Sequence, residues 1–235
     1  MSRVLVPFLT LIATAVLIPG CVLVVDASRD GETVILDDYS FSEAVTAIDT
    51  DVDSGRIEVL TSDDGTTTVD VEITYEGDTP EYSVRVRDGV LSIGLDCPSL
   101  ATTCEGVFVI RMPPAAHASI SLETGDVVVE DRAGNVEIDL AVGDVGCSGL
   151  TAEHARVDLG TGDVDVAFRS DSAPSSVSVD IAVGDADLIV PKGVYDIDVA
   201  SSVGVVTLDG VDHTAGAERT IHAATGAGTV TIRGL

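Results

Sequence analysis

Trp is absent, and aromatic residues make up only 3% of the 235 positions. That excludes an aromatic-rich recognition groove, the usual device for stacking bases or gripping extended peptides. Lys is almost missing: Lys192 stands alone beside eleven Arg. Forty acidic residues against 12 basic ones give a formal charge of −28. Phosphate contacts need Lys and Arg, so nucleic acid is excluded as a partner. The same balance denies the folded body any charge attraction to anionic lipid. No stretch shows a convincing amphipathic-helix pattern. Phosphate loops, dinucleotide fingerprints and G-x-S-x-G are missing. No metal-ligand spacing links His117, His154, His213 and His222, which read as surface or turn histidines. What remains is 45% hydrophobic, mostly Val, Ile, Leu and Ala, with 23 Gly. That composition describes one ordered, β-rich domain of about 200 residues.

The first twenty residues stand apart. Arg3 precedes an apolar run from Val4 to Ile18, followed by Pro19, Gly20 and Cys21. A short basic start, an apolar stretch and a small residue before the break read as a signal peptide. The run falls short of the roughly 20 residues that a membrane helix needs. Ile18-Pro19-Gly20-Cys21 resembles the lipobox of bacterial lipoproteins. That resemblance implies diacylglycerol on the Cys21 thiol and a third acyl chain on its freed amine. An ordinary secretory cleavage beside a chance Cys21 is the alternative. Acyl chains bury about 0.8 kcal/mol per methylene, enough to hold the protein on a membrane. Removal of residues 1–20 takes away Arg3 and no acid, leaving −29. Residues 21–32 would be the lipidated Cys and a short tether, and residues 33–235 the folded domain.

Three further cysteines follow. Cys97 and Cys104 are seven apart, and in an oxidising compartment a local loop disulfide is favoured over two free thiols. Closing so short a loop stabilises by roughly 2–3 kcal/mol on the entropic model. Cys147 falls on an apolar strand position and reads as a buried thiol.

A ten-residue cassette recurs through residues 116–235. It reads ISLETGDVVV from Ile120, IDLAVGDVGC from Ile138, VDLGTGDVDV from Val157 and VDIAVGDADL from Val179. Two degenerate copies, IDVASSVGVV from Ile197 and IHAATGAGTV from Ile221, lose the Gly-Asp pair. Starts are 18, 19, 22, 18 and 24 residues apart. Alternation on both sides of the Gly is the period of a half-buried strand. Gly125, Gly143, Gly162 and Gly184 permit a tight corner. Asp126, Asp144, Asp163 and Asp185 can accept local backbone N–H bonds there. One such coil cannot bury its own apolar face, so neighbours must supply the partner. The reading is an all-β, single-domain β-solenoid with coils of about 18–24 residues. An antiparallel sandwich fits the strand spacing but leaves the recurring Gly-Asp unexplained. Stacking predicts columns Ile120, Ile138, Val157, Val179, Ile197, Ile221 and Leu122, Leu140, Leu159, Ile181, Val199, Ala223. Beyond the corner, Val127, Val145, Val164, Ala186 and Val129, Cys147, Val166, Leu188 form two more.

Residues 33–115 are less regular, with alternating segments such as Thr67–Tyr75, Glu81–Arg87 and Val90–Leu95 that read as antiparallel strands, or as long coils, closing that end. IDTDVDSGRIEV, from Ile48 to Val59, is an expanded cassette with its corner at Ser54-Gly55. These segments, with LETGDVVVED and the repeated GDV, resemble a bacterial family of adhesin-like proteins of unknown function. The resemblance implies a β-solenoid, a membrane tether and a surface or envelope role, with no catalytic residue to carry over.

The acidic ladders are the remaining feature. Asp139, Asp158, Asp180 and Asp198 share one outward position, and Asp126, Asp144, Asp163 and Asp185 share the corner. A solvated face is the plainest reading, and Ca²⁺ held between corner carboxylates is an alternative. The leading function is a non-enzymatic envelope lipoprotein, structural or adhesive, on the outer membrane, cell surface or periplasmic side. A glycan-acting enzyme with paired carboxylates, or an envelope-stress partner protein, are the runners-up. Like charges one coil apart repel, so the melting temperature is expected to rise between about 10 mM and 1 M NaCl as screening tightens. A flat or falling melting temperature in a salt series would contradict the ladders.

Overall fold

The computed structural model describes residues 32–235; the segment read as a signal peptide and Cys21 lie outside the described residues. Every regular element in it is a β-strand. The N-terminal part holds β1 (Thr33–Phe41), β2 (Ala47–Thr61), β3 (Thr67–Glu76), β4 (Glu81–Arg87), β5 (Val90–Asp96) and β6 (Thr103–Met112). The repeats give β7 (His117–Glu130), β8 (Val136–Val142), β9 (Val145–Leu150), β10 (His154–Thr161), β11 (Val164–Phe168), β12 (Ser176–Val183) and β13 (Ala186–Val190). The C-terminal part adds β14 (Val194–Val203), β15 (Val206–Asp209), β16 (Asp212–His213), β17 (Thr220–Ala227) and β18 (Val230–Gly234).

Each cassette is two strand limbs meeting at a glycine corner, and the coils stack in parallel. Ile120 pairs with Ile138, Ile138 with Val157, and Val157 with Val179. Past the corner, Val127 meets Val145, then Val164, then Ala186. The fold is therefore the β-solenoid, and its core is the pair of apolar columns on each limb. Cys147 lies within that core, 4% exposed.

The corner dictates the stacking. Gly143 has φ +139, a region closed to side chains, and a Cβ built on it would stand 1.7 Å from the carbonyl oxygen of Gly125. The same closeness recurs down one file: Gly106, Gly55, Gly125, Gly143, Gly162, Gly184, Gly228, Gly204. Only a residue without Cβ fits.

That file also gives the coil order, which departs from sequence order at the C-terminal end. The last coil, β17 and β18, lies between β12/β13 and β14/β15. The two degenerate copies keep their corner glycine, as Gly204 and Gly228, two residues later than the other four. Their register shifts accordingly. Val179 stacks on Ala223 and then Val199, while Ile221 and Ile197 stack on Val177. The predicted columns are thus correct over the regular coils and two residues out over the last two. Asp198 leaves the Asp139–Asp158–Asp180 ladder for the same reason and aligns with His222 and Ser178.

The N-terminal end is closed by antiparallel strands. β3 pairs with β6 and β1 with β3 on one limb, while β4 and β5 form a hairpin on the other. Between β6 and β7, Pro113–Ala116 is clamped by Arg132, which is fully buried. Its guanidinium donates to the carbonyls of Met112 and Ala116, both at 3.1 Å, and to that of Pro113. Burial pushes its pKa down to about 10, so it stays charged at neutral pH.

Two substitutions test these constraints. Gly143→Ala should lose at least about 3 kcal/mol in urea unfolding, since strained φ and a backbone clash add. Gly146→Ala, whose Cβ would meet nothing within 4 Å, should stay within about 0.5 kcal/mol. Arg132→Met should cost about 3 kcal/mol in the same assay, because buried carbonyls lose a charged donor.

Candidate functional site

The outward side chains of the stack form the site, because strand alternation puts every second residue outside. On the first limb, Asp139, Asp158 and Asp180 stand in register in successive coils. Arg156 lies beside Asp158, with Nη2 at 2.7 Å from Oδ2. Ser178 donates to Asp180 at 3.4 Å. His222 bridges two coils, with Nε2 at 3.1 Å from Asp180 Oδ1 and Nδ1 at 3.2 Å from Asp198 Oδ2. The ladder is thus interrupted by cationic or hydrogen-bonding groups. On the second limb, burial and the neighbouring Asp187 raise the Asp165 pKa above the usual carboxylate range, and Arg233 pairs with Asp187.

The corner carboxylates have a structural task. Asp144 Oδ1 accepts the N–H of Asp163 at 2.9 Å, and Asp163 Oδ1 accepts that of Asp185 at 2.8 Å. Asp185 Oδ1 accepts the N–H of Thr229 at 2.6 Å. The acceptor bonds run to the next coil, and the expectation of local turn bonds is corrected accordingly. Asp126 sits 3.4 Å from Arg56 Nη1. Among the described residues, no group of three or more His, Cys, Asp or Glu side chains could hold a metal ion.

An open trough of about 560 Å³ runs over Asp139, Asp158 and Asp180, floored by small residues such as Ala141, Gly160 and Ala182. Neighbouring carboxylates stand side by side on one face, one strand spacing of about 4.8 Å apart. Glycoside cleavage needs two carboxylates flanking the scissile bond; these three share one outward strand position. A second trough of about 550 Å³ at the N-terminal end is lined by Asp49, Asp51, Asp53, Glu81, Tyr82 and Arg85.

Cys97 and Cys104 are joined by a disulfide with Cα atoms 5.9 Å apart, and Asp53 accepts the Cys97 N–H at 2.7 Å. Cys147 is a free thiol whose pKa burial pushes up to about 12. At neutral pH almost none of it is thiolate, so it offers no nucleophile.

Sequence reasoning missed three features. Arg132 is a lone Arg in a turn, with no pattern to mark it. Asp37 is buried across the end of the stack, where it accepts from Tyr82 and, at 3.3 Å, from Tyr39. Burial, and next the hydrogen bond to Asp37, holds the Tyr82 hydroxyl above its ordinary pKa. The third is an exposed apolar run, Val203, Val205, Val206 and Leu208, on the outermost C-terminal coil. The lost Gly-Asp pair in that copy was its one signal.

No curated protein matches the sequence. Among solved structures, the chain is similar to a "putative cell adhesion protein" from Clostridium sporogenes, at 14% identity and TM-score 0.49, with 85% of this chain and 100% of the other covered. It is similar to a "putative adhesin" from Bacteroides fragilis at 17% identity and TM-score 0.41, covering 86% and 97%. A third, from Parabacteroides distasonis and of the same description, is 17% identical at TM-score 0.33, covering 83% and 96%. The family model described as Toastrack DUF4097 matches residues 99–233, more than half of the sequence and all of the regular repeats, and the chain belongs to that family.

Proposed function

We propose that the protein is a non-enzymatic interaction module of a bacterial cell envelope, held on a membrane by lipid at Cys21. The observation that carries this reading is the continuous in-register stack. Such a stack is rigid along its axis and presents outward side chains at fixed spacing, which suits holding a partner. Its carboxylates are arranged for solvation and for coil-to-coil hydrogen bonds, and its free thiol is buried and protonated. The names of the similar structures point toward adhesion. Among the described residues no helix is long and apolar enough to cross a membrane. Attachment in this reading is by acyl chains on Cys21. Residues 1–20 are the signal peptide, and residues 21–32 link the anchor to the domain. A charge of −29 after cleavage keeps that domain off anionic headgroups.

The test is metabolic labelling with radioactive palmitate in a bacterial host, followed by membrane fractionation. The natural chain should carry label and pellet with membranes. Cys21→Ser should lose the label and move to the soluble or secreted fraction. An unlabelled natural chain would overturn the lipid anchor.

A further inference from the structure

The two ends of the stack are built differently. At the N-terminal end, β1 and β4 close over the core, Tyr39 and Phe41 stack at 6.3 Å, and Tyr82 reaches Asp37. At the C-terminal end the outermost coil is β14 and β15, and among the described residues only β16 and the loop after it cover the start of β14. β14 hydrogen-bonds β17 on one side, while on the other β16 reaches only Val194 and Tyr195. His213 Nδ1 then accepts the Ile197 N–H at 3.0 Å, and beyond that point the edge is open. β15 pairs with β18 alone among the described residues. Val206 and Leu208 continue the inner columns of Val230 and Ile232, yet are 38% and 44% exposed. Val203 and Val205, on either side of the Gly204 corner, are 71% and 60% exposed. Val205 stands where four other coils carry Asp. Natural sheets blunt such edges with charge, and here the corner charge is missing.

We propose that this end is a docking edge for an extended segment of another protein in which apolar and basic residues alternate. The segment adds as one more pair of strands meeting at a glycine, its apolar residues completing the columns that end at Val206 and Leu208. Its alternate residues then fall beside the outward Asp198, whose side chain is 84% exposed, and Asp209. Opposite charges in cross-strand positions attract, and a chain of −28 favours a basic partner over any range. A second copy fits poorly on both possible faces. Head-to-tail stacking meets the closed N-terminal end. Tail-to-tail pairing sets Asp198 and Asp209 against acidic residues of an equally charged molecule.

This inference deepens the reading of the protein as an interaction module and is independent of its lipid. The experiment uses the full chain in neutral detergent and a fluorescent peptide of alternating valine and lysine, about ten residues long, with one central glycine for the corner, read by anisotropy. Controls alternate serine with lysine, or valine with glutamate. The valine–lysine peptide should bind at least tenfold more tightly than either control. Val206→Asp and Leu208→Asp should each weaken it at least tenfold. Val205→Asp, which restores the acid borne by other corners and so should fold, adds an outward carboxylate beside the lysines and should tighten binding, with the melting temperature kept. Equal binding of the serine–lysine peptide would reduce the effect to charge alone and overturn the proposal. Unchanged binding by both Val206→Asp and Leu208→Asp would place the peptide elsewhere. A natural chain that sediments as a dimer, and as a monomer with Val206→Asp, would give the edge to a second copy instead. None of these results alters palmitate labelling at Cys21, so the two readings fail separately.

Discussion

The whole architecture depends on one steric condition: at each corner, a backbone carbonyl occupies the space that a side chain would need in the next coil. From Gly106 to Gly204 the corners stack on one another's carbonyl oxygens. Because the corners cannot slide, the limbs on either side are fixed in register, and apolar residues fall in columns. The corner Asp adds a second tie by accepting an N–H from the following coil. Gly and Asp recur together because one makes room for the neighbouring backbone and the other bonds to it.

Such a stack concentrates like charge, which is its chief electrostatic cost. Asp139, Asp158 and Asp180 are aligned on one face. The few cations are spent where the acids crowd: Arg156 at Asp158, Arg233 at Asp187, Arg56 between Glu58 and Asp126. These pairs are half-exposed, and each contributes only about 0–1 kcal/mol. Stability must therefore come mainly from the columns and the backbone ladder, with the ion pairs limiting local repulsion.

How much of this was legible follows from how each feature is encoded. Register over the four regular coils was readable because alternation and the Gly-Asp pair are both periodic, and periodicity survives without coordinates. The strands of the N-terminal half were readable from alternation alone, including Ser54-Gly55 as a corner. The last two coils were misread by two residues, because Ile197 and Ile221 imitate the start of a cassette while Gly204 and Gly228 set the true corner. Alignment on the glycine would have corrected it. Arg132 and Asp37 were not legible: each acts through groups distant in sequence, the carbonyls of Met112 and Ala116 or the hydroxyl of Tyr82. Contacts of that kind leave no local pattern.

The exchange of order at the C-terminal end has an electrostatic rationale. In sequence order, the β14 coil would lie directly on the β12 coil, about 4.8 Å away, with Asp198 opposite Ser178 and diagonal to Asp180. Placing β17 between them doubles that spacing, and Coulomb repulsion falls with distance. The intervening coil is suited to the place. It carries Ala224 opposite Asp180, and its His222 reaches both carboxylates. Thr229 at its corner still donates an N–H to Asp185 but brings no acid of its own. The coil poorest in charge is thus enclosed between two acidic ones. The coil left outside carries Val205 in place of the corner Asp, and its columns end in Val206 and Leu208. Relief of repulsion inside the stack and an apolar edge at its end are two results of one placement.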